Sequence, residues 1–190
     1  MRILGVDPGS KKTGFGVIDV DMNTGRFLLV EHGIWYLNAD VALPARLADL
    51  SVELERLLIR HTPTHAVVED VFIGPNPRSA LVLGQTRGVV LVMLARAGIL
   101  AESILPRDVK QLVTGFGAAQ KHQVGGMVAA LLQLNEHPAE DAADALAIAM
   151  AFAVQKRSAY TLISENVPPV MKRRSKQSRD KTLLALATRF

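Results

Sequence analysis

Two apolar runs in this chain each end in a carboxylate. Arg2-Ile3-Leu4-Gly5-Val6-Asp7 closes on one acid and Ala66-Val67-Val68-Glu69 on another. Short valine- and isoleucine-rich runs bounded by turn residues read as strands buried in a sheet. A carboxylate has no packing reason to follow them. Left unpaired in the interior it is costly, so it is usually hydrogen-bonded, ion-paired or bound to a cation. Asp141 and Asp144 add a second pair, three residues apart at the start of a helical pattern and therefore on one helical face. Converging acids have an obvious shared partner, a hard divalent cation that takes oxygen ligands.

The rest of the pattern predicts an α/β chain with a mixed five-stranded sheet. Strands are expected at 2–7, 13–20 and 26–37, joined by Pro8-Gly9-Ser10 and Met22-Asn23-Thr24-Gly25, so these three should run antiparallel. Leu43, Leu47, Leu50, Leu54, Leu57 and Leu58 recur at helical spacing and predict a helix over about 43–60. A fourth strand is expected at 65–70, a long helix over about 77–97 and a fifth strand at 99–105. Pro106 suits the start of a helix ending near Gly115, Val124 to Leu132 form another helical stripe, and a last helix is expected from about Pro138 to Lys156. Strands 4 and 5 follow helices, which places helices on both faces of the sheet. The helix over 77–97 is apolar on more than one face, so burial on several sides is expected, and Gly84 and Gly88 would admit a close neighbour.

Composition fits this reading. Hydrophobic residues make up 49% and charged residues 21%, which excludes overall disorder. There is no cysteine, which excludes disulfides and thiolate–zinc sites. The opening residues reach an acid and a proline too early for a secretory leader. The apolar run from Gly88 to Ala95 is too short to cross a bilayer. A cytoplasmic protein is expected. The net charge of +4 is uneven: residues 158–190 hold seven Lys/Arg against Glu165 and Asp180, so they carry +5 and the first 157 carry −1. This divides the chain into a domain over 1–157 and a basic tail over 158–190, expected to be flexible and to add salt-dependent affinity for nucleic acid.

Taken singly, each acid has an ordinary reading. Asp7 could belong to an Asp-Pro-Gly turn, Glu69 could be a solvated strand end, and Asp141 and Asp144 could be first-turn acids favoured by the helix dipole, a role that Glu140 fills. Asp70 should point to the opposite face from Glu69. The combination carries more weight. Two cations ~3.5–4 Å apart need several carboxylates, ideally one bridging. Asp7, on a rigid sheet edge, suits the bridge; Glu69 comes from an adjacent strand, and Asp141 and Asp144 from a helix laid across both. Gly14 and Gly16 would leave room nearby, although strand bends explain them equally well.

Gly5-Val6-Asp7-Pro8-Gly9, Glu69-Asp70-Val71-Phe72, Leu83-Gly84-Gln85-Thr86-Arg87-Gly88 and Asp141-Ala142-Ala143-Asp144-Ala145-Leu146-Ala147 together resemble the RuvC family of bacterial Holliday junction endonucleases, over about residues 1–155. The resemblance implies a ribonuclease-H-like fold and a homodimer. It also implies magnesium- or manganese-dependent cutting of four-way DNA junctions by paired nicks, with two ions per site. It assigns the catalytic, metal-holding set to Asp7, Glu69, Asp141 and Asp144. It also implies base contact by Phe72, phosphate contact by Lys110 and Lys121, and cooperation with the branch-migration complex of the same pathway. The loop Gly74-Pro75-Asn76-Pro77 departs from the family by lacking a lysine that some relatives carry. Lys11, Lys12, Arg78, Arg107 and His122 are further candidates for DNA contact, with solvated surface as their ordinary reading.

Two other classes share part of this pattern. Sugar-kinase-like phosphotransferases also begin with a strand, an acid and a glycine turn, but they are expected to need a second similar domain. A non-catalytic DNA binder would explain the basic tail. It would not explain acids aimed at a phosphate-facing site.

Overall fold

The sheet is mixed, with the strand order β3-β2-β1-β4-β5. The computed structural model describes residues 1–70 and 77–166, the last seven by backbone alone. Phe72, the Gly74-Pro75-Asn76 loop and the basic tail beyond 166 lie outside the described residues. In chain order the elements are β1 (Arg2–Asp7), β2 (Lys12–Val20), β3 (Phe27–Tyr36), α1 (Leu43–His61), β4 (His65–Glu69), α2 (Pro77–Arg96), β5 (Ala101–Ile104), α3 (Pro106–Thr114), α4 (Lys121–Leu132) and α5 (Glu140–Asn166). β1–β2 and β2–β3 pair antiparallel, while β1–β4 and β4–β5 pair parallel. The expected architecture is present, with element ends shifted by a few residues. The chain divides into two units, Met1–Gln155 and Lys156–Phe190, and the first holds the whole sheet.

Strand alternation sorts the core into two layers. Ile3, Ile18, Val67 and Ile104 pack against α3, α4 and α5, through Val109, Val128, Leu146, Ile148 and Phe152 among others. Leu4, Val6, Phe15, Val17, Ala66 and Val68 face α1 and α2, through Leu50, Leu54, Leu57, Val90 and Leu94. Each fully buried aliphatic or aromatic side chain contributes roughly 1.5–3 kcal/mol. Local signals set the helix ends: Pro44 opens α1 and Pro106 opens α3, and left-handed Thr62 and Gly115 close them. Gln120 N–H donates to the Gln123 side chain at the start of α4.

One expected helix end needs correction. α5 continues to Asn166, ten residues past the expected end. Nothing between Lys156 and Asn166 is Gly or Pro, and the first strong stop is Pro168-Pro169. Within the single chain only Thr86, Val90 and Leu94 of α2 are buried, while Leu81 and Val92 are 64% and 59% exposed, so cover on a second side would have to come from another molecule. At 20 residues α2 also has the length and composition of a membrane span. It is nevertheless a sheet-packed helix, because Val90 and Leu94 join the core and Arg87 ties it to β4.

Candidate active site

The site begins with three glycines. Gly5, Gly14 and Gly16 share the sheet face under α5. A Cβ on Gly5 would stand 2.2 Å from the Ala145 carbonyl oxygen, one on Gly14 2.0 Å from the Asp141 carbonyl oxygen, and one on Gly16 2.7 Å from Leu146. For Gly5 and Gly14 the obstacle is backbone, and for Gly16 it is the Leu146 side chain with its backbone nitrogen at 2.9 Å, so a side chain at any of the three would force the helix to shift. The helix answers in kind: Ala142, Ala143, Ala145, Ala147 and Ala149 are all buried, and their small size lets α5 lie against the strands. The β1–β2 ladder passes through Gly5↔Gly16 and Asp7↔Gly14 without a register break. Close helix approach therefore explains these glycines, and the register shift of β2 against β3 falls after them, between Val17 and Ile18. The first turn of α5 is thereby fixed above the end of β1.

That crossing brings the four acids together. Asp7 lies on the Gly5 face of β1. The β1–β4 register runs through Gly5↔Val67 and Val6↔Val68, so Glu69 is its lateral neighbour. Asp7 and Glu69 share a hydrogen bond, and Asp7 feels the charges of Asp144 and Asp141. Asp70 points to the other face, as alternation requires, and pairs with Arg87 at 3.2 Å. Arg87 Nε also donates to the Glu69 carbonyl at 3.1 Å, which anchors the end of β4.

Electrostatically the cluster is strained. Burial, then the Glu69 charge and the more distant acids, push Asp7 up to about 8. Burial also raises Glu69, helped by Asp144 and opposed by the hydrogen bond from Asp7 and by Lys121 and Lys110. Asp144 is raised by burial against the pull of Lys121. Like charges in a poorly solvated site oppose one another's ionisation, and a cation among them removes the opposition.

Three lysines border the acids. Lys121 Nζ lies 2.6 Å from Glu140 Oε1 and 3.1 Å from Asp144 Oδ2. Lys12 Nζ lies 3.8 Å from Asp141 Oδ2 and also sits over the Tyr36 ring. Lys110, half-buried on α3, lowers Glu69 through its charge. His122 is exposed and lines a cavity of about 440 Å³ with Lys121, His137, Glu140 and Asp144. Lys11, Arg78 and Arg107 are exposed on the β1–β2 turn and the first turns of α2 and α3.

The donor set suits a hard divalent cation: four carboxylates from three elements, all oxygen. Among the described residues no three acidic or histidine side chains already form a finished cage. Asp144 is turned to Lys121 and Asp141 to Lys12, so these oxygens would exchange an ammonium for the cation. The sequence reading missed three contributors. Glu140 was read only as a first-turn acid, although it lies one turn before Asp144. Arg87 sat unassigned in its motif. His137 carried no local signal.

A glycine substitution tests the crossing. Gly14→Ala should displace the first turn of α5 and lower any chemistry at the acids by about a hundredfold, since a shift near 1 Å has that effect. Circular dichroism would check that the fold persists, and near-normal turnover would refute the argument.

The family described as crossover junction endodeoxyribonuclease RuvC matches residues 3–152. A crossover junction endodeoxyribonuclease RuvC from Sorangium cellulosum is 39% identical over 179 residues, 94% of this chain and 99% of that protein. The Thermus thermophilus RuvC structure superposes with a TM-score of 0.77 at 30% identity, covering 84% of this chain and 97% of that one. T. thermophilus RuvC in complex with Holliday junction substrate superposes at 0.76 and 28% identity, covering 83% and 96%.

Proposed function

This chain belongs to the RuvC family of crossover junction endodeoxyribonucleases, and we propose that it resolves four-way DNA junctions by paired, symmetric nicks at the acidic centre. The observation that carries the reading is the meeting of Asp7, Glu69, Asp141 and Asp144 under a helix seated on glycines, with burial opposing the ionisation of three of them. The relative solved with a Holliday junction substrate supports the choice of DNA.

Asp7, Glu69, Asp141 and Asp144 would hold two divalent cations, magnesium or manganese. These would supply an activated water and stabilise the leaving 3′-oxygen. Asp7, central among the acids, is the bridging donor. Glu69 is held at its backbone by Arg87, so its carboxylate enters from a fixed strand end. Lys110 and Lys121 lie beside the acids and would draw the scissile phosphate toward them against the negative field. Lys11, Lys12, Arg78, Arg107 and His122 would contact the flanking backbone, and Phe72 a base at the crossover. Residues 1–157 form the nuclease domain in this reading, and the basic tail adds affinity. A cytoplasmic protein working with the branch-migration complex of its pathway completes it.

The test uses a labelled four-way junction, with and without magnesium or manganese. Nicks at symmetric positions in two strands of like polarity, only with a divalent ion, are expected. ATP turnover, or binding without nicking under any divalent ion, would reject the assignment.

A homodimer through α2 is part of the same proposal. The outer face carries exposed Leu81 and Val92, and a Cβ added at Gly84 or Gly88 would meet nothing within 4 Å. The sheet leaves that face unused, and a two-fold partner would give two centres for a junction of similar symmetry. Val92→Glu should shift sedimentation from dimer to monomer, and junction nicking should lose its pairing. A variant that sediments as the wild type would exclude this face.

A further inference from the structure

Glu140 and Asp144 lie one turn apart on α5, and both reach the ammonium of Lys121. The contact to Glu140 is the shorter, 2.6 Å against 3.1 Å. The two carboxylates differ in setting. Glu140 is 67% exposed at its side chain and packs against nothing in the core, whereas Asp144 is 24% exposed and faces Asp7 and Glu69. The cavity of about 440 Å³ lined by Lys121, His122, His137 and both acids gives the lysine room to move.

An ammonium and a divalent cation compete for the same carboxylate oxygen. For Asp144 Oδ2 to ligate a cation, Lys121 has to leave it. With no second acceptor, that departure would abandon a charge-assisted hydrogen bond at the exposed rim of the site. Glu140 removes the difficulty, because Lys121 can release Asp144 and keep a partner one turn away.

We infer that Glu140 is a positioning residue that acts through Lys121: it holds the ammonium beside Asp144, so that Asp144 is free to take a divalent cation while the lysine stays at the edge of the site for a DNA phosphate. The inference rests on the reading of the acids as a metal centre. It differs from a plain surface-charge effect in one respect. A surface acid attracts cations whether or not Lys121 is present, whereas a positioning acid matters only while Lys121 competes for Asp144.

A double-mutant cycle separates the two cases. Manganese affinity of the full chain without DNA is measured by electron paramagnetic resonance for wild type, Lys121→Met, Glu140→Gln, the double variant and Asp144→Asn. Lys121→Met should bind manganese about fivefold tighter and Glu140→Gln about threefold weaker, the size of shift that partly exposed ion pairs produce. In the Lys121→Met background Glu140→Gln should change nothing. An equal threefold loss in that background, or an unchanged affinity in Lys121→Met, would overturn the inference and leave the metal centre standing. Asp144→Asn should weaken manganese by at least about tenfold, the loss of one direct ligand. If it does not, the metal-centre reading fails and the role of Glu140 falls with it.

Discussion

Asp7→Asn is expected to abolish junction cleavage and to leave junction binding intact. Asp7 is the acid that senses all the others: it hydrogen-bonds Glu69 and feels the charges of both Asp141 and Asp144. An amide is nearly isosteric, so the glycine-seated crossing and the packing of β1 should persist. The change removes the central anionic donor. Loss of about 4 kcal/mol of transition-state stabilisation corresponds to about a thousandfold in rate, and a bridging carboxylate in a two-cation site is worth at least that. Binding responds with the opposite sign, because one negative charge fewer stands near the phosphates. Single-turnover cleavage in magnesium and a gel shift in calcium would measure the two effects. Asp70→Asn is the control. Asp70 follows Glu69 directly but points to the other face and pairs with Arg87, so its cleavage rate should stay within about tenfold of wild type, the scale of an exposed pair. A cleavage rate for Asp7→Asn close to wild type would remove the acids from the chemistry.

The contrast between Asp7 and Asp70 shows what was legible in the sequence. Period-two alternation is local, so the face of each strand acid could be read before any fold was known. Helical spacing likewise put Asp141 and Asp144 side by side. Three features were out of reach because they depend on what packs across from a residue. Gly14 and Gly16 could mark a bend or a crossing helix, and only the unbroken β1–β2 register together with the Asp141 and Leu146 contacts decides between them. The apolar residues encircling α2 do not reveal whether the chain's own sheet or another molecule covers them, and the sheet takes only the Thr86, Val90 and Leu94 side. Lys121 and Glu140 are nineteen residues apart, and their pairing arises only because α4 and α5 bring their first turns together. Local periodicity thus located the acids, whereas tertiary packing supplied the cations and the spacing around them.

The same packing predicts an unusual pH dependence of stability. Asp7 titrates near 3.8 when unfolded and is pushed up to about 8 in the fold. Between those values the folded chain holds a proton that the unfolded chain has released. Stability therefore falls as pH rises from about 4, and this group's contribution is fully lost once pH passes about 8, with a slope of up to ~1.4 kcal/mol per pH unit. Glu69 and Asp144, also raised, act in the same direction. Asp19 and Glu31 are lowered, by hydrogen bonds from Arg2 and from His61, so their contribution grows with pH, but only in the ordinary carboxylate range. Above about pH 5 the acidic centre should dominate the difference between wild type and Asp7→Asn. In a chelating buffer, urea unfolding at pH 5.5, 7 and 8.5 should show Asp7→Asn becoming progressively more stable than wild type. Adding magnesium at pH 8.5 should narrow the difference by stabilising wild type alone, since a ligand at a hundred times its dissociation constant adds about 2.7 kcal/mol to the protein that binds it. A difference independent of pH would mean that Asp7 carries no strained proton. A magnesium effect equal in both proteins would mean that the ion binds elsewhere. The expected pattern follows from one arrangement: acids crowded beneath a close helix destabilise the fold when ionised, and a cation that relieves them would be the one the proposed chemistry needs.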